Sequence, residues 1–131
     1  MDRYDVVIVG AATAGAFFAR RIAEAGHSVL VLDKLEKSAL GQRLDIFHVG
    51  KPDFARFGLP LPEEGDDFAF SFCGGTTYSS FGRYPKKGGG ETVGMHMPRY
   101  IARLNRWAAD AGAKILLGAA FTNFLFDEQG R

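Results

Sequence analysis

The residues with the clearest chemical purpose lie in the first quarter of the chain. Gly10-Ala11-Ala12-Thr13-Ala14-Gly15 follows the apolar run Val6 to Val9 and opens a segment with helical periodicity. The turn has the form G-x-A-x-x-G. Gly10 permits a sharp exit from a strand, and Gly15 lets the following helix lie close against it. Between them, Ala12, Thr13 and Ala14 bring backbone N–H groups to a helix N-terminus, where unpaired donors and the helix dipole favour an anion such as a pyrophosphate. A second glycine would allow the closest approach, and Ala12 adds one methyl there. Asp33 ends the next apolar run, 23 positions after Gly10 (33 − 10 = 23). That is close to the roughly 20 expected for an acid accepting hydrogen bonds from ribose hydroxyls. Together these residues have the chemistry to grip the pyrophosphate and ribose of a dinucleotide. A carboxylate at position 33 would repel a 2′-phosphate, which argues against NADP. The alternative is a glycine-capped turn that binds nothing.

The elements needed to hold these residues can be read on either side of the turn. Tyr4–Val9 reads as a strand apolar on both faces, as in a central parallel strand. A helix runs to about Ala25, with Gly15, Ala19, Ile22 and Ala23 on one face, Arg20, Arg21 and Glu24 on the other, and Gly26 as its cap. Val29–Leu32 is a second buried strand, completing a βαβ unit. The stretch from Lys34 to Met97 breaks the pattern. It reads as a loop containing Gly41-Gln42-Arg43, a short helix near 52–57, a turn at 60–65, and a hairpin. The hairpin pairs Phe68–Phe72 with Thr76–Phe81 through Cys73-Gly74-Gly75, and Gly82–Gly90 follows as a basic loop. Pro98 starts a helix with Ile101, Leu104, Ala108 and Ala111 inward and Gly112 at its end; Arg103 and Arg106 read as surface charges. Lys114–Leu117 and Phe121–Phe126 read as strands. Residues 127–131 look like a turn without a partner strand, so the chain is expected to be a truncated domain. The fold class is α/β, Rossmann-like, with a mostly parallel sheet and a small β-hairpin element.

Composition limits the alternatives. The chain has 131 residues, 47% of them hydrophobic, which suits one domain with a real core. A formal net charge of +1 gives no reason to expect a nucleic-acid or anionic-membrane partner. No apolar run approaches the roughly 20 residues of a transmembrane helix. Cys73 is the sole cysteine, so no internal disulfide or cysteine metal cluster is expected, as suits a reducing cytoplasm. Cys73 itself reads as a buried hairpin residue. His27, His48 and His96 lack metal-ligand spacing. No catalytic set stands out, and the catalytic residues are left unassigned.

FAD and NAD share an adenosine ribose and a pyrophosphate, so the turn alone does not choose between them. A plain NAD domain would continue promptly with another helix and strand, whereas here about sixty residues intervene between Lys34 and Pro98. Three segments carry a resemblance: Tyr4 through Gly15, Ala23-Glu24-Ala25-Gly26 and Val29 through Lys34. They look like the N-terminus of FAD-dependent oxidoreductases, most closely the geranylgeranyl reductase and p-hydroxybenzoate hydroxylase-like group. Pro98-Arg99-Tyr100 through Leu117 is similar to a second block of that group. The resemblance covers 4–34 and about 96–127, with Ala12 and Asp33 departing from the usual glycine and glutamate.

The resemblance implies that residues 1–131 are the N-terminal part of an FAD-binding domain in a flavoprotein reductase or hydroxylase. NAD(P)H would be a possible electron donor, and the substrate domain and catalytic residues would lie beyond Arg131. It places Arg99 near the flavin ribityl chain or pyrophosphate, Arg43 against the flavin, and the backbone of Ala120 and Phe121 beside the adenine; Lys34, next to Asp33, is a further cofactor-binding candidate and, with Lys37, the one feature that would suit a 2′-phosphate. Each has an ordinary reading too: Arg99 and Lys34 as solvated charges, Arg43 in a loop salt bridge, Ala120 and Phe121 as core. The stretch alone is expected to lack turnover, hold FAD poorly and associate with itself through an unpaired sheet edge. The competing function is a non-catalytic module binding NAD or another nucleotide.

Overall fold

In the computed structural model, which describes residues 3–43, 45–126 and 128–129, the chain divides into two compact units. The first comprises Met1–Gly41 and Ile101–Arg131, the second Gln42–Tyr100.

The first unit carries a parallel sheet of three strands, β1 (Val6–Val9), β2 (Val29–Asp33) and a strand from Lys114 to Leu117. β2 is central, with Val6 opposite Val29 on one side and Leu30 opposite Lys114 on the other. α1 (Thr13–Glu24) connects β1 to β2. Its small residues Ala16 and Ala19 are fully buried, as are Val29 and Val31. After α1 the N–H of Gly26 donates to Ala23 O and that of His27 to Ile22 O. This double closure satisfies the last carbonyls and stops the helix where the sequence places its cap. The expectation that β1 is covered on both faces is corrected. Val7 and Val9 are 51% and 60% exposed, because nothing in the described residues covers the face they share with Leu116.

The second unit is built on an antiparallel sheet of β3 (Ile46–Gly50), β4 (Phe68–Tyr78) and β5 (Pro85–His96), with β5 in the middle. α2 (Lys51–Phe57) follows β3 directly and buries Phe54. Met95, Val93 and Tyr100 complete its core, and the Tyr100 hydroxyl donates to Pro60 O.

Two sequence expectations fail here for one physical reason. Glycine reads as a turn former, but a glycine can also sit at a bulge within a long strand. Cys73-Gly74-Gly75 is not the hairpin turn. It lies inside β4 at a register shift, and Cys73 is exposed. The turn lies instead at 79–84, with Phe81 at φ +67. Gly82–Gly90 is not a basic loop, because most of it is the first half of β5, and β3 passed unrecognised.

α3 (Met97–Asp110) runs from the second unit into the first, and β6 (Lys114–Leu117) follows. Ile101, Leu104 and Ala108 are buried as the periodicity requires. Arg103, expected on the surface, is 5% exposed; it stands three residues beyond Tyr100, on the inner side of the helix. The expected strand Phe121–Phe126 does not form. The segment is irregular and its side chains are exposed, since no described strand pairs with it.

Candidate functional site

The site is built at the C-terminal ends of β1 and β2. The N–H of Gly10 donates to Leu32 O at 2.7 Å, and the backbone turns there at φ +110, a conformation open to glycine and disfavoured for other residues. The chain then passes under the start of α1. A Cβ on Gly15 would overlap Gly10 O and lie 2.9 Å from Gly10 C. The close helix–strand approach that the motif requires is therefore present, and it is backbone against backbone.

α1 begins with Ala12 as its N-cap. No side chain caps it, and its first turn holds no acidic residue. The first N–H groups of a helix have no intrahelical acceptor, so this end keeps its donors and its positive dipole for an anion. Ala12 and Ala14 are exposed, Thr13 and Gly15 half-buried.

Asp33 closes the turn from the side. Its Oδ2 accepts from Ala11 N and its Oδ1 from Leu35 N, both at 2.8 Å. Its own carbonyl accepts from Ala119 N at 2.8 Å, and Leu35 O accepts from Gly118 N. Those two backbone bonds bring the segment after β6 alongside the end of β2. The result is an open cleft of about 300 Å³ lined by Val9, Gly10, Asp33, Lys34, Ala120 and Phe121. Five of these six residues are sequence candidates. Ala12, Thr13, Ala14 and Gly15 form the adjoining helix start. The Phe121 ring meets Phe124 edge to face, with centroids 4.9 Å apart.

Arg43 and Arg99 are not part of this group. Both are exposed residues of the second unit, and Arg99 donates to Asp66 O at 2.6 Å.

Sequence reasoning missed Asn105. From α3 its Nδ2 donates to Ala11 O at 2.8 Å and to Ile101 O at 3.0 Å. The only signal was a polar residue beside the inward stripe of Ile101, Leu104 and Ala108. Nearby, the Arg20 guanidinium lies 4.2 Å over the Trp107 ring, joining α1 to α3.

Among the described residues there is no cluster of His, Cys, Asp and Glu fit to hold a metal ion, and no helix is long and apolar enough to cross a membrane.

No family model matches the chain. Its sequence is 27% identical over 113 residues to a digeranylgeranylglycerophospholipid reductase of Sulfolobus acidocaldarius, covering 86% of this chain and 25% of that protein. Its structure resembles a geranylgeranyl bacteriochlorophyll reductase-like protein of Thermoplasma acidophilum. The TM-score is 0.72 at 21% identity, over 88% of this chain and 30% of that one. It also resembles the flavin-dependent brominase Bmp2, with a TM-score of 0.60 at 20% identity, over 86% and 29% of the two chains. The resemblance to the geranylgeranyl reductase group thus extends from the sequence motifs to the α/β fold with its parallel and antiparallel sheets. The chain spans between a quarter and a third of the length of these proteins.

Proposed function

We propose that this chain binds the ADP half of FAD at the cleft beside α1, as the N-terminal part of a flavin-dependent reductase or hydroxylase. The observation that carries this reading is the meeting of Gly10, Asp33, Lys34, Ala120 and Phe121 around one cleft, beside a helix start with no side-chain cap and no acid in its first turn. An anion approaching that end meets free donors and no carboxylate from the first turn of α1 itself.

The residues present fit the ADP half. Backbone N–H groups of Ala12, Thr13 and Ala14 would hold the pyrophosphate, with Gly10 and Gly15 allowing the close turn. Asp33 would have two tasks. Each of its oxygens already accepts one hydrogen bond from the loop. A carboxylate oxygen has a second lone pair, which is left to accept from a ribose hydroxyl. Lys34, Ala120 and Phe121 would border the adenosine, with the Phe121 ring offering an apolar edge to the base. A bound flavin would supply the redox chemistry, with NAD(P)H as the proposed electron donor. The part of this chain is to bind and orient; no catalytic side chain is assigned among its residues.

The test is calorimetric titration of the full chain with ADP, FAD and NAD. ADP should bind, FAD should bind at least as tightly as NAD, and Asp33→Ala should weaken ADP binding by about 1–3 kcal/mol. A parent chain that binds none of the three would refute the site. NAD binding well above FAD would refute the flavin assignment in favour of a nicotinamide or general nucleotide module.

A further inference from the structure

We infer that Asn105 is a positioning residue for the pyrophosphate-binding turn, acting with Asp33 to fix the single residue Ala11 from both sides. The inference rests on the ADP-site reading and gives it a mechanism of preorganisation.

Ala11 is fully buried, and both polar groups of its backbone are held by side chains distant in sequence. Its N–H donates to Asp33 Oδ2 at 2.8 Å, and its carbonyl accepts from Asn105 Nδ2 at 2.8 Å. One partner comes from the end of β2, the other from the middle of α3. Two groups pulling on the two sides of one residue leave its peptide planes little freedom to rotate.

This fixes the donor that matters. The carbonyl of Ala11 and the N–H of Ala12 belong to one peptide unit, and no peptide bond here is cis. In a trans peptide these two groups point in opposite directions. Drawing Ala11 O toward α3 therefore turns Ala12 N–H away from α3. Ala12 is exposed although its neighbour is buried, so a ligand can reach this residue. It also occupies the middle position of the glycine motif, where a backbone N–H approaches the pyrophosphate. A donor already aimed before the ligand arrives spares the ordering that binding would otherwise require.

The orientation of the amide is set by its surroundings. Both acceptors facing Nδ2 are carbonyl oxygens, so the nitrogen, and not the oxygen, must be turned to them. The oxygen is left buried with no hydrogen-bond partner among the described residues. For stability alone such a group is a poor choice, since an unpartnered buried acceptor is destabilising and a leucine would fill the same space. What an asparagine supplies and a leucine does not is the donor to Ala11 O.

The experiment compares the full chain with Asn105→Leu and Asn105→Asp, measuring affinity for ADP and for adenosine alongside thermal unfolding. Adenosine lacks the pyrophosphate, so the ratio of the two affinities isolates that contact. ADP affinity should fall about tenfold in each variant while adenosine affinity holds. Asn105→Leu should melt close to the parent, because it removes one unpartnered buried oxygen, Asn105 Oδ1, while leaving another, Ala11 O, without its donor. Asn105→Asp keeps the shape without the donor and serves as the test if the leucine variant does not fold. An unchanged ratio, or equal loss of both ligands, would overturn the inference while leaving the site reading intact. A parent that binds ADP no better than adenosine would overturn both.

Discussion

Gly15→Ala puts the geometry of the turn to its most direct test. A Cβ at this position would overlap Gly10 O, stand 2.9 Å from Gly10 C and meet Ile8 Cγ2 at 3.4 Å. The main obstacle is backbone, and Gly10 is itself held by its hydrogen bond to Leu32 O. No side-chain rotation relieves the overlap, so α1 or the end of β1 must shift. Overpacking of this kind costs about 1–3 kcal/mol, and a backbone obstacle belongs at the upper end. Alanine in place of glycine within a helix returns about 1 kcal/mol. The net loss is then about 2 kcal/mol. At roughly 4 °C per kcal/mol for a chain of this size, the melting temperature should fall by about 8 °C. The assay is thermal unfolding followed by circular dichroism, with Gly89→Ala as the control. Gly89 has nothing within 4 Å of an added Cβ and no positive φ, so that change should leave the melting temperature nearly unmoved. The same calorimetry with ADP should register weakened binding in Gly15→Ala, since the helix start must move. Equal melting temperatures for Gly15→Ala and the parent would refute the close approach described for this turn.

Two further outcomes follow from the same reasoning. A Cβ on Gly94 would meet the Phe70 ring at 2.7 Å, so Gly94→Ala should destabilise the parent by about 1 kcal/mol. That loss should vanish in a Phe70→Ala background in a double-mutant cycle; an equal loss in both would disprove the ring's placement. The Ser28 N–H and hydroxyl hold the Asp5 carboxyl below its ordinary pKa. A depressed pKa stabilises the fold above the unfolded value and loses that contribution as pH falls through the folded one. Asp5→Ala should therefore lower the melting temperature at neutral pH, and the difference should shrink below about pH 4. A difference that stays constant with pH would contradict the assignment.

Much of the first unit was legible because its signals are local. A run of four apolar residues, a glycine with positive φ and a helix with a small-residue face each follow from neighbours within one or two turns. The spacing from Gly10 to Asp33 spans a single βαβ unit, so the end of β2 had to fall beside the turn. The second unit was read less well. Its strands contain the glycines that mark turns elsewhere, and only pairing with a partner strand tells a bulge at Cys73–Gly75 from a hairpin tip.

The sequence by itself determined the βαβ unit and the elements on which Gly10, Gly15 and Asp33 sit. The tertiary structure decided what those residues touch. Asp33 was expected to face a ribose, yet its oxygens also hold the loop through Ala11 and Leu35. Ala120 and Phe121 reach the cleft because Ala119 and Gly118 bond the end of β2, not because a strand continues through them. Asn105 lies 94 positions from Ala11. A contact across that distance depends on how α3 packs, and packing is a property of all the buried faces together. Local periodicity can say that Asn105 lies near the inward side of its helix. Only the assembled fold brings its amide to the carbonyl of Ala11.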